Sequence, residues 1–270
     1  MEHLRRRAPL IAGLLLLACS LTSCSANDQP SRQQESNPEA SVPPAPISPS
    51  KYQVPDNIRN ATIIWSAESG IDLFGEEATV IRAALEAHHI TLGSPISDSY
   101  PGYARAIDQE TRDFYNRYTT QSAWEYGTGY RRIRNIEPTD NGFIAYTCQQ
   151  LSGIASRQPD GKFRQTITGG NSEVSLTMER REEYAPATSS SSPGTSAATP
   201  TVDEAGRPHW QAPGRDAFVG WNVIFNGPVD SDHDRACREW ARQFIGEEPE
   251  GVTRIVTDDP PETLPAYPGW

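Results

Sequence analysis

Positive charge is scarce in this chain: 24 lysine and arginine residues stand against 35 aspartate and glutamate, for a net charge of −11. Such a balance opposes binding to phosphate backbones, and Arg131, Arg132 and Arg134 read as scattered positions of a strand, not as a nucleic-acid footprint. Long apolar runs are missing too. Crossing the hydrocarbon takes about 20 apolar residues, and the run from Leu10 to Ala18 is soon interrupted by Ser20, Thr22 and Ser23. There is no H-E-x-x-H helix, no G-x-S-x-G elbow, no phosphate loop ending in G-K-[ST] and no calcium-loop spacing. Gly127-Thr128-Gly129 begins like a dinucleotide loop, but Arg132 occupies the place of the third glycine, so no cofactor is indicated. No repeat is apparent, and there are only four cysteines.

What is present begins with Arg5, Arg6 and Arg7 ahead of the short apolar run, the pattern of an export signal. Leu21-Thr22-Ser23-Cys24 resembles the lipobox of bacterial lipoproteins, and Leu16-Leu17-Ala18-Cys19 is an alternative match. The resemblance implies a signal peptide over residues 1–23, cleavage before Cys24, a diacylglyceryl thioether on its sulfur and a fatty acid on the freed amine. Two or more acyl chains make a durable anchor where one does not. Cleavage before Cys24 discards Cys19 and leaves Cys148 and Cys237 as a pair, whereas cleavage before Cys19 strands Cys24 as a lone thiol in an oxidising compartment. Removal of a leader carrying +2 leaves the mature chain at about −13.

Residues 24–57 are polar and proline-rich, with little to bury, and read as a disordered tether reaching ~30 Å or more. A second tract, about 184–214, is rich in Ser, Thr and Pro, and residues 258–270 form an acidic, proline-rich tail. Between tether and tail, residues 58–257 read as a single domain, with the Ser/Thr/Pro tract as a disordered insert standing out from it.

Apolar positions from Ile71 to Leu92, with His88 among them, step by three or four and predict a helix ended by Gly93. A second helix is expected over 102–118, its buried side formed by Tyr103, Ile107, Phe114, Tyr115 and Tyr118. The period then changes to two. Residues 124–137 and 142–151 flank Asp140-Asn141-Gly142 as a hairpin, residues 162–168 and 172–181 flank Gly169-Gly170-Asn171 in the same way, and 217–227 supply a fifth strand. A last helix over 231–246 carries Cys237, Trp240, Ala241, Phe244 and Ile245 on one face. The acids of Asp230 to Asp234 there suit a helix N-terminus better than a metal.

Helices first and a turn-linked sheet afterwards is an α+β order. That order, with "GEEATVIRAALEA", "SYPGYARAI" and "YRRIRNIEPTDNGFIAYTC", resembles exported bacterial members of the SnoaL-like, or nuclear transport factor 2-like, group. The resemblance covers residues 70 to 226. It implies N-terminal helices packed on a curved antiparallel sheet, cone-like around an apolar pocket, with the C-terminal helix as an addition. His88 would line that pocket and could serve as a general base, the alternative being a core histidine satisfied by its neighbours. Tyr126, Tyr130 and Trp221 are further candidates for the pocket wall. A Cys148–Cys237 disulfide is expected to close a loop of about 90 residues. The expectation is a lipid-anchored envelope protein that binds a small apolar ligand or a protein partner. The alternatives are a SnoaL-like isomerase, cyclase or hydrolase using His88, and an envelope assembly factor with a filled interior.

Overall fold

The computed structural model describes residues 52–118, 123–167, 173–182, 202, 206–226, 231–246 and 251–270. Cys19 and Cys24, the export signal, the tether up to Lys51 and most of the Ser/Thr/Pro tract lie outside the described residues. The folded unit is α+β, built on one eight-stranded sheet.

The first element overturns the helices-first order. β1 (Asn60–Ala67) precedes the helices and pairs in parallel with β2 (Glu125–Thr139), Trp65 opposite Arg131. Its sequence, Ala61-Thr62-Ile63-Ile64-Trp65, is rich in β-branched and aromatic residues, the composition that suits a half-buried pleated surface. A parallel pair needs a crossover, and α1 (Glu76–Gly93) supplies it.

α1 starts later than Ile71 because Asp72 makes a turn first: its carboxylate accepts from the Phe74 amide at 2.9 Å and its carbonyl from the Gly75 amide at 3.0 Å. From Ala78 onward the helix is buried on almost every side, well beyond a single stripe, while Leu92 is exposed. The expected second helix is two, α2 (Tyr103–Ala106) and α3 (Gln109–Tyr118). Asp108 separates them by capping α3, accepting from the Thr111 amide at 2.7 Å and the Thr111 hydroxyl at 2.8 Å. Tyr103, Ile107 and Tyr115 are buried as expected, but Phe114 is exposed.

β2 and β3 (Gly142–Gln150) form the hairpin anticipated at Asp140-Asn141-Gly142. β4 (Ile154–Arg157) carries on along the same edge of β2, and β5 (Phe163–Ile167) pairs antiparallel with it. Gly127, at φ 104°, and Gly153 make this junction possible. A Cβ on Gly127 would come within 2.3 Å of the Gly153 carbonyl oxygen, and one on Gly153 within 2.2 Å of that of Thr128. β6 (Glu173–Arg180) pairs with β3 and with β7 (Trp221–Phe225). The second expected hairpin is therefore not formed: β5 is taken up by β4 and β8, and β6 by β3 and β7, in the order β7-β6-β3-β2-β4-β5-β8. β8 (Thr253–Thr257) adds to β5 and ends the sheet.

α4 (Ser231–Ile245) joins β3 through the Cys148–Cys237 disulfide, with the two Cα atoms 5.3 Å apart. The crosslink closes a loop of 89 residues and contributes about 4 kcal/mol by the chain-entropy account. Covalent staples of this kind persist in oxidising compartments. Among the described residues no helix is long and apolar enough to cross a membrane.

In two stretches expected to stand apart from the domain, described residues are built into it. Trp210, Gln211 and Pro213, within the Ser/Thr/Pro tract, are buried. The acidic tail runs beside β1: the Trp65 amide donates to the Tyr267 carbonyl at 2.6 Å, and the Thr62 hydroxyl to that of Leu264 at 2.7 Å. At the other end, the last tether residues are folded as well, with Tyr52 packed edge-on against Tyr100.

Candidate functional site

The inward face of the sheet carries a junction of polar and aromatic groups centred on Glu86, four residues beyond Arg82 on α1, so that both project from the same side of the helix. Glu86 Oε1 accepts from Trp65 Nε1 at 2.7 Å. Its Oε2 accepts from the Tyr100 hydroxyl at 2.7 Å and from Trp270 Nε1 at 2.8 Å. The Tyr100 hydroxyl in turn accepts from Trp210 Nε1 at 2.8 Å. Three tryptophans and a tyrosine, drawn from β1, the loop after α1, the Ser/Thr/Pro tract and the last residue of the chain, thus close on one carboxylate. Burial and the neighbouring Glu86 charge hold the Tyr100 hydroxyl protonated, well above the usual phenol range.

Two guanidinium groups cover this junction. Arg82 lies 4.4 Å above the Trp270 ring and donates to the Pro268 carbonyl at 3.1 Å, and Arg131 lies 5.7 Å from the centre of the Trp65 ring. Arg131 is 1 % exposed, and among the described residues its Nε and Nη1 have no hydrogen-bond partner; neither has Arg82 Nε. Burial lowers the Arg131 pKa to about 10 and the Glu86 charge opposes that, so the side chain stays cationic at neutral pH. Two cations face one carboxylate, an arrangement that breaks badly if the carboxylate is removed.

Of the four pocket candidates named from the sequence, His88 is the one on a helix. Its Nδ1 lies 2.5 Å from the Tyr115 hydroxyl, which lies 2.9 Å from that of Tyr103. Phe225 packs over the imidazole at 4.8 Å between ring centres. Burial first, then the charges of Arg131 and His89, depress the His88 pKa to about 3. A neutral imidazole with so low a pKa is a weak general base at neutral pH, where efficiency demands a value near the operating pH. Its neighbour His89 takes another direction, bonding Glu125 at 2.7 Å and stacking on Trp210.

The other three candidates are not brought to His88. Tyr126 and Tyr130 share the opposite face of β2, where Tyr126 packs edge-on against Phe163 and Tyr130 stacks on Phe244 of α4 at 4.0 Å. Trp221 is buried against Phe143, with Arg180 3.7 Å above its ring. Alternation along β2 explains the split: Arg131 turns inward to Trp65, while Arg132 pairs with Glu68 and Arg134 donates to the His233 carbonyl.

Of the four candidates, Tyr130 lines one of the clefts that open at the surface among the described residues. One cleft of about 740 Å³ lies at the start of α1 between Asp72, Glu76, Asn135 and Arg180. Two of about 390 Å³ lie beside Tyr130 and Phe244, and beside Asn57 and Trp124. Among the described residues no three His, Cys, Asp or Glu side chains are grouped to hold a metal ion, and in the acidic start of α4, Asp232 and Asp234 pair with Arg235 and Arg238.

Glu86, Arg82, Tyr100, Trp210 and Trp270 are the residues that sequence reasoning missed. One signal was available: Arg82 and Glu86 interrupt a helix otherwise apolar enough to be buried all round, and buried charges are kept only when paired or hydrogen-bonded. Compared with known proteins, the chain matches no family model, no curated protein and no solved structure.

Proposed function

We propose that the protein is a lipid-tethered envelope domain that recognises a protein partner on its outer surface, with its interior given over to holding the fold together. One observation carries this: the inward side, where a SnoaL-like cone would keep its apolar pocket, is occupied by Trp65, Tyr100, Trp210 and Trp270 bonded around Glu86. The finer picture of a sheet curving round α1 as a cone belongs to the proposal. It is supported by the burial of α1 on almost all sides and by the shift of register in β2 between Ile133 and Asn135, since bulges bend strands. The anchor at Cys24 is supported by the lipobox and by the pairing of Cys148 with Cys237, which leaves Cys24 for the lipid when the chain is cut before it.

Two measurements test the proposal. An apolar fluorescent probe titrated into the delipidated protein should show no saturable binding, while Trp270→Ala, which removes a wall of the interior, should acquire it; saturable binding to the unaltered protein would favour the ligand-carrier role. Cys24→Ser should move the protein from the membrane fraction to the medium, and unchanged retention would remove the anchor.

A further inference from the structure

β8 is the open edge of the sheet. All five of its residues are exposed, and Val252, Ile255 and Val256 are 62, 39 and 55 % exposed. One side of the strand is occupied by β5, from Thr253 opposite Ile167 to Thr257 opposite Phe163; among the described residues nothing pairs with the other side. The other edges of the sheet are treated differently: Val223 of β7 is bridged by Ile107, and the free side of β1 by Tyr267. Exposed edge strands are ordinarily blunted by prolines, charges or covering segments, because a row of unmet N–H and C=O groups templates pairing with another chain. Within β8 only Arg254 is charged, and Asp258 and Asp259 follow it.

We propose that this edge pairs with the β8 edge of a second copy of the chain, antiparallel about a two-fold axis through Val256. The proposal rests on the outer-surface function above and names its partner. The choice of occupant comes from charge. In an antiparallel pair centred on Val256, Arg254 of each copy stands opposite Asp258 of the other, so the two-fold axis generates two cross-strand ion pairs, and Val256 meets its own counterpart. Each strand is its own complement. Asp258 already lies 3.3 Å from Lys162, an exposed contact that leaves its carboxylate in reach of a second cation. The net negative charge of the chain opposes association only over distance, since the screening length is about 8 Å at physiological ionic strength, whereas the paired groups meet within contact.

Cysteine crosslinking of the full chain in membranes tests both the partner and the register. Directly opposed residues of an antiparallel pair have Cα atoms about 4.5–5.5 Å apart, inside the disulfide range of about 4.4–6.8 Å. Val256→Cys should therefore give a covalent dimer on mild oxidation. Val252→Cys, equally exposed but eight residues from its counterpart in this register, sits roughly 27 Å away from it at ~3.4 Å per residue and should stay monomeric. Arg254→Glu should lower the dimer yield of Val256→Cys at least five-fold, and adding Asp258→Arg should restore it. Absence of a Val256→Cys dimer, an equal yield from Val252→Cys, or indifference to Arg254→Glu would each overturn the proposal. None of these results alters probe binding to the interior, so a missing dimer leaves the closed-interior function standing with a different partner, while probe uptake by the unaltered protein would sink that function first.

Discussion

The two faces of the sheet are secured by different chemistry. On the inward face, α1 meets β1 and β2 through hydrogen-bonded indoles, a buried carboxylate and two guanidinium groups over aromatic rings. On the outward face, α4 is fixed to β3 by a disulfide and meets the sheet through two ring stacks, Tyr130 on Phe244 and Tyr146 on His233. The inner junction is cooperative, because Trp65, Tyr100 and Trp270 all donate to Glu86 and Trp210 joins through Tyr100, so losing the hub strands these partners together. The outer face depends on one covalent bond, which acts largely on the unfolded chain.

That contrast can be broken most forcefully at Glu86. Glu86→Ala should destabilise the protein by about 3–5 kcal/mol, as expected when one partner of a buried charge cluster is removed, measured by urea unfolding; a loss below about 1 kcal/mol would mean that the junction is not a hub. Double replacement Cys148→Ser/Cys237→Ser should lose about 2–5 kcal/mol in the same experiment while the indole N–H groups of Trp65 and Trp270 keep their protection from exchange. Joint loss of that protection would show that the two faces are not independent.

His88 gives a smaller effect with a definite pH window. Its folded pKa of about 3 lies below the ordinary histidine value near 6.5, so the unfolded chain binds the proton first. The stability it contributes is present above pH 6.5 and is lost as pH falls from there toward 3, by up to about 1.4 kcal/mol per pH unit. Stability curves of the wild type and His88→Asn should diverge in that window and run parallel above it. At the weak end, Arg235→Ala removes an exposed pair with Asp232 on α4 and should change stability by less than about 0.5 kcal/mol.

The sequence displayed the local features well. The α1 period, the β2–β3 turn and the α4 face with Cys237 all follow from spacing, and Cys148 and Cys237 are the two cysteines outside the N-terminal run. What it concealed is non-local. β1 is a short β-branched run whose partner lies some 65 residues away, so nothing nearby marks its pairing. β5 and β6 looked like a hairpin because they are adjacent in the chain, but β5 pairs with β4 and β6 with β3 instead. The low-complexity tract and the acidic tail hid single anchoring residues, Trp210 and Trp270, within segments whose average composition argues against burial. Of the four nominated pocket residues, β-strand alternation turned Tyr126 and Tyr130 outward, while Trp221 joins the same core as His88's neighbours but lies against Phe143, out of contact with the Glu86 junction.

Hydrogen exchange at the tryptophan indoles bears most directly on a closed interior built around Glu86. The Nε1–H groups of Trp65, Trp210 and Trp270 should exchange only at the rate of global unfolding, whereas exposed Trp124 should exchange within the dead time of the measurement. Rapid exchange at Trp65 and Trp270, matching that of Trp124, would contradict the account.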